Sequence, residues 1–125
     1  MTATLNDFLK PIPCEVVEYE SEHFGTVRIR TMSRSQSNDY QQWLKPSGKV
    51  SDRHNKHRDL KLVTMSVVDE AGNPVFNFDD DEAFFDFADS LDDAAAEPWD
   101  DLIYKVMEIQ GYFKKADDLL GKSEN

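Results

Sequence analysis

From Asp79 to Leu91 the chain reads DDDEAFFDFADSL, with acids and phenylalanines woven into one short run. Carboxylates favour water and aromatic rings favour burial, so the segment can settle only where the two kinds of side chain part company. A helix separates them. Phe84, Phe87, Ala88 and Leu91 fall at i, i+3, i+4 and i+7 and form one apolar stripe, while most of the acids lie elsewhere on the helical surface. The spacing predicts a helix capped by Asp79 and running to about Leu91. Asp79, Asp80, Asp81 and Glu82 lie in its first turn, where the helix dipole favours negative charge. Phe85 falls off the main stripe, near its flank. Two readings stay open for it: a wide buried face, the stronger of the two, or one ring held out for a partner.

The rest of the chain supplies elements for this helix to pack against. "CEVVEYES" from Cys14 is rich in β-formers, and "TVRIRTM" from Thr26 alternates, with Val27 and Ile29 on one face and Arg28 and Arg30 on the other. The glycine of the intervening "EHFG" suits a turn, so the pair reads as a β-hairpin. Ser33 caps a helix over "RSQSNDYQQWLK" whose stripe is Tyr40, Trp43 and Leu44, stopped by Pro46 and Gly48. A second helix begins near Ser51 or Asp52 and runs to about Val68. Its last segment, "LKLVTMSVV", fits a helix by spacing and a strand by its β-branched content. "DEAGNP" is a dense turn signal. A fourth helix spans Trp99 to about Gln110, with Pro98 in the first helical position and Gly111 at its end. The expected fold is a single small α+β domain, an N-terminal β-hairpin packed against about four α-helices. Residues 14–113 form the domain, 1–13 a flexible leader and 114–125 a flexible tail. Within the leader, Leu5, Phe8 and Leu9 form one helical turn that Pro11 and Pro13 end.

Charge divides the chain. Residues 1–62 hold 10 Lys and Arg against 8 Asp and Glu, and residues 63–125 hold 4 against 17, for a net charge of −11. No Lys or Arg occurs between Lys61 and Lys105. Such a field repels nucleic acid and anionic lipid, and it favours solubility and encounters with basic protein surfaces. No apolar run approaches the roughly 18 residues that cross a bilayer. The N-terminal residues lack the pattern of a secretion signal, and the single cysteine, Cys14, cannot form an internal disulfide. These features lead us to expect a protein of a reducing cytoplasm.

Catalytic and metal chemistry find little footing. Counted from Asp79 or from Asp81, the EF-hand glycine and glutamate positions are filled by the wrong residues. His54 and His57 could share a metal, but no cysteine or second histidine pair accompanies them. The glycines are scattered, no nucleophile elbow occurs, and Cys14 sits beside Glu15. The expectation is a protein with no cofactor, no metal and no enzymatic activity. The basic cluster from Lys45 to Lys61 has no aromatic within it to stack on bases, so it is expected to pair with this chain's own acidic half or with a partner's acids.

The phrase "RDLKLVTMSVVDEAGNPVF", Arg58 to Phe76, resembles the central signature of the tail assembly chaperones of long-tailed, non-contractile bacteriophages and prophages. "GTVRIRTMSRSQSNDYQQWL" resembles the strand and helix that precede it in that family, and "DLIYKVMEIQGY" the closing helix, with Gln110-Gly111 at the usual stop. The likeness covers roughly residues 15–113 and rests on the order and spacing of short phrases. It implies a protein made in the cytoplasm of the bacterial host and absent from the mature virion. Such a protein coats the tape measure protein, keeps it soluble and recruits tail tube protein subunits. The family often has a second, frameshifted longer form, and this chain would be the short one.

An acidic body with a few accessible aromatics can cover the apolar residues of a long helix before the tube encloses it. The residues expected to touch a partner are Phe85, Trp99 and Tyr112, with Trp43 and Tyr40 next; core positions are the competing reading for all five. Copies of the chain itself are a further possible partner, as a homo-oligomer. Two rival functions differ in kind: an acidic DNA-mimic inhibitor of a host nucleic-acid enzyme, and a minor structural tail protein.

Overall fold

Val16–Ser21 (β1) and Gly25–Arg30 (β2) pair antiparallel, from Val16 opposite Arg30 to Ser21 opposite Gly25. This is the expected hairpin. Gly25, at φ +76°, takes the left-handed conformation that brings the chain out of the turn. Val27 and Ile29 are buried, and Arg28 and Arg30, which alternate with them, face the other way. The computed structural model describes residues 2–113, so the predicted tail lies outside the described residues. Leu5–Leu9 (α1) forms the expected leader turn and buries none of its side chains.

Arg34–Leu44 (α2) begins at a reciprocal cap. Ser33 Oγ accepts from the Gln36 N–H at 3.1 Å, and the Ser33 N–H donates to Gln36 Oε1 at 3.0 Å. The single helix expected next is two. Asp52–Lys56 (α3) and Arg58–Ser66 (α4) part at His57, whose backbone lies at φ −109°, ψ 18°. The run His54-Asn55-Lys56-His57 includes three weak helix formers and does not resist the break.

The helix also ends earlier than its apolar spacing predicts. Ser66 Oγ donates to the Leu62 carbonyl at 2.7 Å, and Val67–Val68 (β3) turn extended. They pair with β2 through Arg28 opposite Val68 and Ile29 opposite Val67. The ambiguity of "LKLVTMSVV" thus resolves as helix followed by strand, and the hairpin becomes a three-stranded antiparallel sheet in the order β1-β2-β3. Asp69 then turns the chain sharply: its Oδ1 accepts from the Ala71 and Asn73 N–H groups, each at 2.9 Å.

Asp81–Ser90 (α5) is capped by Asp80 rather than Asp79, with Asp80 Oδ1 accepting from the Ala83 N–H at 2.9 Å. Ala96–Ile109 (α6) starts three residues before Trp99, so Pro98 falls within the first turn, where its missing N–H is not needed. Gly111, at φ +88°, ends it. The fold is α+β, with three strands and six helices among the described residues.

Two groups of buried side chains hold these elements together. Val27, Ile29, Tyr40, Leu44, Leu62, Val63, Val67, Leu102 and Val106 join the sheet to α2, α4 and α6. Leu60, Phe84, Phe85 and Ala88 form a second group beneath α5. Trp43 and Trp99 pack against both and connect them.

Candidate functional site

The acidic helix is gripped by the basic one. Arg53 on α3 donates to both carboxylate oxygens of Glu82, at 3.0 and 3.4 Å, and its guanidinium lies 4.0 Å over the Phe85 ring. His57 Nε2 stands 3.4 Å from Asp89 Oδ1. His54 Nε2 stands 3.7 Å from Asp81 Oδ2, close enough for an ion pair but beyond hydrogen-bond range, while its Nδ1 is 3.0 Å from Ser51 Oγ. Trp43 Nε1 donates to Asp81 Oδ1 at 3.1 Å. Lys61 Nζ sits 5.1 Å from both the Trp43 and the Phe84 rings. Burial holds its pKa below the ordinary lysine value, against the opposing pull of Asp81. Arg53, with His54 and His57 beside Asp81 and Asp89, thus turns the middle of the basic cluster toward this chain's own acidic half, one of the two outcomes expected of it.

This grip decides the case of Phe85. Its ring is 1% exposed, enclosed by Trp43, His54 and Phe84 with Arg53 above it. The buried face of α5 is wide because α3 covers its flank. Tyr40 is also interior, at 4% exposed, and its hydroxyl donates to the Arg58 carbonyl at 3.2 Å. Burial pushes its phenol up to about 12, with a further upward contribution from Tyr112. An enclosed ring offers a partner no surface, which removes Phe85 and Tyr40 from the contact set.

The other three expected contact residues differ among themselves. Trp43 and Trp99 are half-buried, and Tyr112 is 38% exposed. Trp43 joins Phe85 in the aromatic cluster, with the two ring planes 27° apart. Trp99 borders the same buried group, but its ring meets Phe87 at 5.9 Å and Phe24 at 5.1 Å rather than Phe85. The five residues thus make no single patch.

Trp99 instead opens onto a cleft of about 550 Å³ between the hairpin, the Asp69 turn and the start of α6. Val67, Val75, Phe76, Trp99, Leu102 and Phe24 give it apolar walls, and Glu18, Asp69 and Glu70 stand at its rim. Phe24 and Val75 are exposed, Val75 at 52%. Sequence reasoning passed over both. The available signal was a bulky aromatic at a hairpin tip and a valine just after a turn, outside any helical stripe.

Among the described residues, no group of three or more His, Cys, Asp and Glu side chains is placed to hold a metal ion. No described helix is long and apolar enough to cross a membrane. No family model, curated protein or solved structure matches this chain.

Proposed function

We propose that this protein is a non-enzymatic tail assembly chaperone, which binds a tape measure protein before the tail tube encloses it and recruits tube subunits to it. The observation that carries the reading is an open, aromatic-walled cleft on a body of net charge −11. The cleft supplies apolar contact for a partner, and the charge keeps the resulting complexes apart and soluble. The phrase from Arg58 to Phe76 adds the resemblance to the tail chaperones. It contributes α4, β3 and the Asp69 turn, and through Val67, Asp69, Glu70, Val75 and Phe76 part of the cleft wall.

The test is co-expression with the tape measure and tail tube proteins of the same phage or prophage. The soluble yield of tape measure protein should rise in the presence of this chain, and the two should co-purify. The chain should be missing from purified mature particles by mass spectrometry. Stoichiometric presence there would make it a structural tail subunit instead. Salt-sensitive inhibition of a nucleic-acid enzyme, with no effect on tape measure solubility, would make it a DNA mimic.

A further inference from the structure

We propose that the free upper edge of β2 and the cleft beside it bind an extended segment of a partner protein, one that carries a bulky apolar side chain flanked by lysine or arginine. The proposal deepens the chaperone reading and rests on it for the partner's biological role.

The edge follows from the ladder. The Thr31 N–H donates to the Glu15 carbonyl at 2.8 Å, so Glu15 and Thr31 are a hydrogen-bonded pair. Antiparallel alternation then makes Tyr19 with Val27 another such pair, and Glu20 with Thr26 a non-bonded one. The backbone N–H and C=O of Thr26 point away from β1, toward the side on which β3 lies. Along β2, β3 reaches only Arg28 and Ile29, because Asp69 turns the chain back, so that Pro74 bridges Val68 and the Val75 N–H donates to the Val67 carbonyl at 3.2 Å, before it would reach Thr26. The Thr26 hydroxyl is already committed to Glu20, at 2.9 and 3.1 Å, so the backbone pair is what the residue presents to the cleft. An unpaired strand edge beside apolar walls is the arrangement that accepts an added strand.

Charge selects the flanks of that segment. Glu18, Asp69 and Glu70 stand at the rim, and the one cation among the lining residues, Arg28, is held by Glu18 at 2.9 Å. A strand alternates its side chains, so one face can send an apolar residue toward Phe76 and Trp99 while its neighbours place cations at the rim. A second copy of this chain fits poorly, since it would bring another body of net charge −11 against the same acids.

The test uses a fluorescent peptide, acetyl-Lys-Leu-Lys-Phe-Lys-Leu-Lys-amide, titrated with the native chain and read by anisotropy, alongside amide chemical shifts. Saturable binding that shifts the Thr26 amide is the expected result, and the glutamate analogue of the peptide should not bind. Val75→Asp and Glu70→Lys, both at exposed positions, should each weaken binding about tenfold. Methylating the backbone nitrogen of the peptide's Phe should weaken it about fivefold through loss of one hydrogen bond. An equal loss from Asp100→Lys, which is not among the cleft's lining residues, would mean unspecific charge attraction and overturn the proposal. So would a self-association that Val75→Asp abolishes, since the occupant would then be a second copy. If Val75→Asp still keeps a tape measure protein soluble as well as the native chain does, the cleft proposal fails and the chaperone reading stands. If the peptide binds as expected but the native chain does not solubilise a tape measure protein, the chaperone reading fails and the site stands.

Discussion

Gln110 takes the place of a strand beside Met32. The Met32 N–H donates to Gln110 Oε1 at 3.0 Å, and Gln110 Nε2 donates to the Arg30 carbonyl at 2.9 Å. These two groups flank Thr31, as the partners of one residue in a parallel neighbour would. The same Nε2 donates to Ser66 Oγ at 3.0 Å, tying the end of α4 to the end of β2.

Gln110→Ala would strip partners from these half-buried groups, and it should cost about 1–3 kcal/mol by urea unfolding. Amide exchange should speed up at Met32 in particular. Unchanged exchange there would show that the sheet end does not depend on the carboxamide.

Phe85→Ala should destabilise the fold by about 3–5 kcal/mol, the range for an aromatic removed from a core. Arg53→Ala removes an exposed ion pair and a cation over the ring, and should cost no more than about 1 kcal/mol. Equal effects from the two would contradict the placement of the ring beneath the guanidinium.

Tyr40 sets an alkaline limit. Its folded pKa is raised to about 12 from the ordinary phenol value of 10.0, so the unfolded state releases the phenolic proton first. The stability it contributes is complete below pH 10 and is lost as pH climbs to about 12. Tyr40→Phe should cost about 1 kcal/mol at neutral pH through the hydrogen bond to Arg58. It should also flatten the decline above pH 10, which unfolding measured across pH would detect.

Lys61 acts in the opposite direction. Its pKa is lowered by burial, so at neutral pH the folded state bears the cost of a charge withdrawn from water. Stability should rise as pH passes from the folded pKa toward 10.5. Lys61→Met keeps the aliphatic packing on Trp43 and Phe84 and removes the charge. It should leave neutral stability unchanged or raise it by about 1 kcal/mol. A loss larger than that would mean that the contacts with the two rings and Asp81 outweigh desolvation.

Elements whose cause lies within a few residues were legible before the fold was known. Alternation set Val27 and Ile29 against Arg28 and Arg30, Ser33 capped α2, and helical spacing put Phe84 and Ala88 on one face. Period and cap chemistry act along the chain, so sequence by itself determined them. The break at His57, the conversion of Val67 and Val68 into a third strand, the burial of Phe85 under Arg53 and the opening beside Thr26 were settled only by tertiary structure. Each depends on which distant surface arrives. β2 supplied free backbone groups for two valines, α3 covered the flank of α5, and the Asp69 turn carried the chain away from Thr26, none of which local spacing encodes.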